Sequence, residues 1–191
     1  MLKTKQELKI YLELEKKLYL GRENSLLRLR LLADHDYLLW RYVTALRYTE
    51  YHYNVGHRFR YLFWQRNKNR RGVRLGITIW HNTVKEGLRL WHYGSIIING
   101  YAKIGKNCQF HGENCVGNKG DWDQEAPVIG NNVDIGIGAK IIGGIYIADD
   151  VKIGANAVVT KSCYEKGAVL IGVPAHRKRA YETSKRADEH L

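Results

Sequence analysis

Branched apolar residues recur in this chain at every sixth position. Ile129, Ile135, Ile141, Ile147, Ile153 and Val159 form one unbroken run, and Ile98, Ile104, Phe110 and Val116 form an earlier one at the same step. Small or branched residues stand four positions later: Cys108, Val133, Ala139, Ile145, Val151, Ala157 and Cys163. A helical heptad or an alternating strand produces neither the step of six nor the paired small residues. The step fits a chain in which each unit supplies one short strand and one corner, so that three units close a triangular coil of about 18 residues. The branched side chain then points inward and stacks on its counterpart one coil away. The residue four later also faces inward, near a corner where little volume is available. Gly follows the branched residue in Ile104-Gly105, Val116-Gly117, Ile129-Gly130, Ile135-Gly136 and Ile153-Gly154. There the missing Cβ permits either a positive φ or the close approach of another strand. The pattern predicts a parallel β-helix.

Ahead of the repeat the periodicity is helical. Leu8 to Leu20 predicts a helix stopped by Gly21, a second helix begins near Asn24 or Ser25, and the strongest runs from about Asp36 to Tyr53 and closes at Asn54-Val55-Gly56. A shorter stretch, Arg58 to Gln65, leads into Asn67-Lys68-Asn69-Arg70-Arg71-Gly72, whose turn residues predict a polar linker. The expected organisation is α+β: a helical domain over 1–72, a β-helix over 73–175 and a tail over 176–191. Val84 and Leu90 extend the inward positions backwards, although the step from Leu90 to Ile98 is eight. Between Val116 and Ile129 the repeat is interrupted by residues 118–127, an excursion loop of the kind on which solenoids carry function.

Composition narrows the classes. Two prolines and 45% apolar residues in 191 argue against a disordered chain. No run approaches bilayer length and the first twenty residues lack the apolar core of a signal peptide, so the cytoplasm is the expected compartment. Cys108 and Cys163 fall on inward positions and Cys115 beside one, a placement that suits small buried thiols and matches no common zinc spacing. No metal is expected. The net charge of +12 is uneven: residues 1–80 hold 17 basic and 7 acidic side chains, residues 81–191 hold 14 and 12. The basic part therefore faces something acidic, or is simply solvated.

Leu90-Trp91-His92-Tyr93-Gly94-Ser95 ahead of the hexapeptides, the excursion loop, Gly136-Ile137-Gly138-Ala139-Lys140 and Gly172-Val173-Pro174-Ala175 resemble the serine acetyltransferase branch of the hexapeptide acyltransferases. The likeness covers about residues 73–179 and looks nearest to members found among capsule and exopolysaccharide O-acetyltransferases. It implies a left-handed parallel β-helix, homotrimers or pairs of trimers, and active sites in clefts between subunits with acetyl-CoA lying along the coils. It places the general base on His92. The chemistry suits imidazole, because an alcohol is a poor nucleophile until a base matched to neutral pH takes its proton. Backbone N–H groups near Gly94 or in the facing subunit are candidates for the donors that an oxyanion on the thioester carbon requires. Counting three strands places His111 on the same face one coil away, either as a second catalytic group or as a solvated residue. By the same resemblance Gly136, Ala139, Gly154, Ala155 and Lys161 form the line of acetyl-CoA contact, and Arg177, Lys178 and Arg179 meet its phosphates.

Departures from the branch bear on the acceptor. The acid directly before the base is replaced by Trp91, and the position of the orienting acid falls on Ile77, leaving Glu86, Glu113, Asp121 and Asp123 as candidates for that role. The Arg-His pair that holds serine after the loop is replaced by Glu125-Ala126. A buried carboxylate without a cation is costly, whereas Trp91, Tyr93 and Trp122 offer aromatic surface to a sugar ring, with Glu113 beside them, unless Trp91 and Trp122 serve packing or a trimer contact instead. These features favour acetyl transfer to a hydroxyl of a sugar or polysaccharide precursor, with serine O-acetylation for cysteine synthesis as the alternative. Finally, Arg41, Arg47, Arg58, Arg60, Arg66, Arg70 and Arg71 are interleaved with Tyr42, Tyr48, Tyr51, Phe59, Tyr61, Phe63 and Trp64. No nucleic-acid module is present, so the choice lies between packed helices and peripheral contact with an anionic membrane face.

Overall fold

Strands of two or three residues form wherever the repeat turns a branched side chain inward. The computed structural model describes residues 2–21, 25–120 and 124–178. Three sheets make the three sides of a coil. One stacks β1 (Ile77–Ile79), β3 (Ile96–Ile98), β6 (Cys115–Gly117), β9 (Lys140–Ile142) and β12 (Val158–Val159). The second holds β4 (Lys103–Ile104), β7 (Val128–Ile129) and β10 (Tyr146–Ile147), extended by single bridges at Val84 and Cys163. The third is β2 (Arg89–Leu90), β5 (Gln109–Phe110), β8 (Asp134–Ile135), β11 (Lys152–Ile153) and β13 (Val169–Ile171), with β14 (His176–Arg177) turning back antiparallel on β13. All other pairings are parallel. In the third sheet Leu90, Phe110, Ile135, Ile153 and Leu170 stand in one register and are 5% exposed or less. Each such side chain contributes about 1.5–3 kcal/mol by leaving water.

The glycines after the branched residues serve close approach. None of Gly105, Gly130 and Gly136 has a positive φ, but a Cβ on Gly105 would lie 2.4 Å from the Gly130 carbonyl oxygen, and one on Gly136 would lie 2.7 Å from the Ala155 nitrogen. The left-handed conformation falls instead three residues after the inward position, at Asn107, Glu113, Asn132, Gly138, Asp150 and Asn156. At one corner these residues also bond along the stack, Asn107 to Asn132 and Asn132 to Asp150.

Four helices cover the open end of the coil: α1 (Lys5–Leu20), α2 (Leu26–Leu31), α3 (His35–Asn54) and α4 (Arg58–Leu75). Thr4 and Glu7 form a capping box on α1, Ser25 caps α2 and Asp34 caps α3. An uncovered first coil presents unpaired strand N–H and C=O groups. Here each side of the triangle finds a helix side chain. The Tyr42 hydroxyl accepts from Ile79 N, and the Tyr19 hydroxyl accepts from Leu90 N at 2.7 Å and donates to Leu88 O. On the remaining side Arg47, fully buried, donates to Val84 O and Lys85 O at 2.7 Å each, and Glu50 accepts from Asn82 N. Arg47 is held in turn by Glu15 at 2.7 Å and Glu50 at 2.8 Å.

Two expectations are corrected here. The polar stretch 67–72 is not a linker; α4 continues through it to Leu75 and ends at left-handed Gly76. Lys68 and Gly72, one turn apart, face the coil: the Lys68 ammonium donates to Ile79 O at 2.8 Å, and Gly72 lies against the Tyr42 ring and Ile77 O. Asn67 and Arg71 bond across the next turn at 2.8 Å. Of the two readings of the basic aromatic stretch, the structure supports packing and so corrects only the membrane alternative, since Tyr42, Arg47 and Tyr51 are buried and Tyr48 stacks on Trp64 at 4.3 Å. Phe59, Leu62 and Phe63 stay exposed. No described helix is long and apolar enough to cross a membrane.

Replacing Arg47 by Met leaves two carboxylates and two carbonyls buried without their donor, and lowers unfolding free energy by about 3–5 kcal/mol in urea titrations. Burial pushes the His52 and His81 imidazoles below their ordinary pKa, helped by His57 and Arg60 at the first and Lys68 at the second. Between the folded and unfolded values the unfolded chain binds more protons, so stability falls as pH drops through about 6.5. His81→Phe makes that acid-side slope shallower in unfolding curves from about pH 7.5 to 5.

Candidate active site

The register of the third sheet carries the outward residues into columns as strictly as the inward ones. Immediately after the inward stack come Trp91, His111, Gly136, Gly154 and Ile171, tied by Trp91 N to Phe110 O, His111 N to Ile135 O, Gly136 N to Ile153 O and Gly154 N to Leu170 O. The next column is His92, Gly112, Ile137 and Ala155, with His92 Cβ 3.4 Å from where a Gly112 Cβ would stand. His92 and His111 therefore stand in adjacent columns on adjacent coils, and a strip floored by glycine leads away from His111.

The rings are fixed by different partners. His111 Nε2 lies 2.7 Å from Asp134 Oδ1. A carboxylate only accepts, so Nε2 carries the proton and Nδ1 keeps its lone pair when the ring is neutral. The Trp91 indole stacks on His111 with ring centres 5.7 Å apart, donates to Gln109 at 2.9 Å and lies under the Arg89 guanidinium at 4.5 Å. His92 is exposed and meets the edge of His35, 5.4 Å between centres; no carboxylate contacts it among the described residues. His35 begins α3, donates from Nε2 to Trp91 O at 2.8 Å and stacks at a tilt on Tyr93 at 5.1 Å. Because a backbone carbonyl only accepts, His35 keeps its Nδ1 bare when neutral.

The corner between the two imidazoles rests on Asn114. It occupies a position that the repeat fills elsewhere with a small apolar residue, and it is 1% exposed. Its side chain accepts from Gly112 N at 2.9 Å and donates to Gly136 O at 2.8 Å. Those bonds hold Gly112 and left-handed Glu113 in place beside His92.

Several expected site residues stand elsewhere. Ala139 is fully buried inside the coil, so it cannot line an acetyl-CoA path. Gly94 N donates to Leu75 O at 2.7 Å and is not free for an oxyanion. The Trp91 ring, 40% exposed, is flanked by His111 and Arg89, the packing alternative for this residue. Of the acids considered for the base, Glu86 pairs with Lys106 at 2.7 Å, while Asp121 and Asp123 lie outside the described residues, as do Trp122 and Arg179. Glu113 is exposed, its carbonyl accepting from Lys140 at 2.6 Å. Gly136 and Gly154 do lie in one line, with Ala155 exposed beside them. Lys161 and Lys178 are exposed, and Arg177 pairs with Glu165. His35, Asp134 and Asn114 are the residues that sequence reasoning missed. For Asp134 the signal was available, because it directly precedes inward Ile135 and so shares the face of His111.

With this geometry in view, residues 126–161 match the family model described as bacterial transferase hexapeptide (six repeats). The serine acetyltransferase of Mycobacterium tuberculosis is 34% identical over 135 residues, covering 62% of this chain and 56% of that protein. The one from Helicobacter pylori strain 26695 is 37% identical over 93 residues, 48% of this chain and 54% of that protein. The chain thus spans little more than half the length of these relatives. Among solved structures, Brucella abortus serine acetyltransferase superposes with a TM-score of 0.72 at 22% identity, over 91% of this chain and 70% of that one. A second structure of the enzyme from that organism, in complex with coenzyme A, gives 0.67 at 23% identity over 91% and 68%. At these identities the structures speak for the fold. The comparisons overturn the expectation of a sugar or polysaccharide acceptor and of a nearest likeness to capsule and exopolysaccharide enzymes: the relatives and structures named above are serine acetyltransferases.

Asn114→Ala strips partners from a buried N–H and a buried C=O, and is expected to cost about 1–3 kcal/mol of stability in chemical unfolding.

Proposed function

We propose that this protein transfers an acetyl group from acetyl-CoA to the side-chain hydroxyl of serine, the reaction that supplies O-acetylserine for cysteine synthesis. The observation that carries the reading is the likeness to serine acetyltransferases at 34–37% identity. The coil contributes an outward imidazole pair at the head of a glycine strip.

In this reading His92 is the base. It takes the hydroxyl proton as the serine oxygen attacks the thioester carbon; the tetrahedral oxyanion then collapses, expels the coenzyme A thiolate and leaves an ester. His35 and Tyr93 limit the positions open to the His92 ring. His111, fixed by Asp134 and covered by Trp91, forms the wall between the base and the strip, with its bare Nδ1 available to a polar group of either substrate. The pantetheine arm lies over Gly136 and Gly154, where a Cβ would block the approach, and passes Ala155. Lys161 and Lys178 are exposed cations for its phosphates, while Arg177 is shared with Glu165.

The site is open on a single chain: Trp91, His92 and Tyr93 are all exposed. A second copy of a left-handed coil, packed as in a trimer, supplies the missing wall, excludes water and brings the backbone donors that Gly94 does not provide.

Steady-state release of coenzyme A with serine as acceptor tests the proposal. His92→Ala lowers kcat by about 10²–10⁴-fold, the usual contribution of a positioned base, whereas Asp134→Asn stays within about tenfold of the parent. A normal rate for His92→Ala together with a collapse in Asp134→Asn moves the base to His111; no ester with serine at all contradicts the reading.

A further inference from the structure

Beside the imidazole pair lies a cavity of about 400 Å³ that the reaction as described does not use. His35 and Tyr93 line it, and both flank His92: the His35 ring meets the His92 ring and Tyr93 follows it in the chain. The opposite wall is the last two turns of α4, through Arg71 and Arg74. These are three residues apart on one helix face and project into the same space.

The charge there is uncompensated. No Asp or Glu occurs in the sequence between Glu50 and Glu86, a stretch with eight Arg or Lys. Among the described residues, none of Arg41, Arg71 and Arg74 forms an ion pair. Arg41 donates only to the Tyr37 hydroxyl at 3.0 Å, and Arg71 only to the Asn67 amide. Half-burial, with Arg41 and Arg74 close by, pushes the Arg71 guanidinium below its ordinary pKa. The negative end of the α4 dipole accounts for a cation in its last turn. It does not account for a second guanidinium held half-buried beside the first, with a third adjoining. Planar forks with unused donors around a concave space are what a carboxylate requires.

We infer that Arg71 and Arg74 form the subsite for the α-carboxylate of the amino-acid acceptor. The subsite replaces the cation that the sequence lacks after the excursion loop, where Glu125-Ala126 stand. With the carboxylate on the arginines, the acceptor lies across His35 and Tyr93, and its hydroxyl is directed at His92. The inference rests on serine acetylation as the reaction, and adds that its specificity for a free carboxylate comes from the helical layer.

The test is the KM for serine and for serinamide, which lacks the charge, in the parent, Arg71→Gln, Arg74→Gln, the double variant and Arg74→Lys. Truncating contacts made equally in the ground and transition states raises KM without lowering kcat. We expect the double variant to raise KM for serine by at least about tenfold, with kcat within about threefold and KM for acetyl-CoA unchanged. The preference of the parent for serine over serinamide should vanish, and Arg74→Lys should restore part of it. Thermal melts identify any variant that fails to fold, and the single variants then carry the comparison. Turnover of serine with an unchanged KM in folded variants overturns the carboxylate subsite and leaves serine acetylation standing. A parent that turns over serinamide but not serine overturns both.

Discussion

Everything in this molecule depends on one repeated contact, the stacking of an inward branched side chain on its counterpart one coil away. Leu90, Phe110, Ile135, Ile153 and Leu170 make one such column. Strand side chains alternate, so a fixed inward column fixes the outward ones on either side. Trp91, His111, Gly136 and Gly154 form a line for that reason, with His92 and Gly112 beside it. A slip of one residue anywhere between coils would turn the imidazoles into the core. The apolar stack is thus also the device that positions the polar site.

A stack of this kind has open ends, and the amino-terminal end is closed by chemistry quite unlike the stack. Tyr19, Tyr42, Arg47 and Glu50 supply donors and acceptors to the first coil, with Tyr19 and Tyr42 on one side each and Arg47 and Glu50 sharing the third. The same helical layer reaches the site: α3 begins with His35 against His92, Asp36 holds Arg89 at 2.9 Å, and α4 ends with Arg71 and Arg74. End cap and the wall of the candidate site are one structure. Burial raises the Glu15 carboxyl pKa while Arg47 opposes the rise, so this polar joint is tuned by its own partners.

The legible part of the structure was the part with a period. The step of six fixed the coil, its inward residues and the adjacent columns of His92 and His111, because each depends only on counting. Aperiodic contacts were not legible. His35 stands 57 positions before His92 in the chain and meets it only because α3 packs across the first coil. Asn114 breaks the apolar rule at its position, and the break marks a corner held by side-chain bonds rather than by packing. Ala139 failed as a ligand contact for a reason the repeat itself contained, since it stands four after Ile135 and faces the core. Residues 67–72 misled through composition: Asn, Lys and Gly suggest a turn, but Lys68 and Gly72 lie one helical turn apart and each has a specific partner on the coil. The sugar expectation rests on departures from the family pattern, Glu125-Ala126 and the aromatics among them, and it is the likeness to serine acetyltransferases, not a contact within the chain, that overturns it.

The most direct test of this account is a crystal structure of the full chain with coenzyme A bound. The account predicts a pantetheine arm lying over Gly136 and Gly154 of one protomer, with its sulfur at the His92 end of the third sheet and a second protomer closing the cleft. Coenzyme A on either of the other two sheets, or a sulfur remote from both imidazoles, would contradict it.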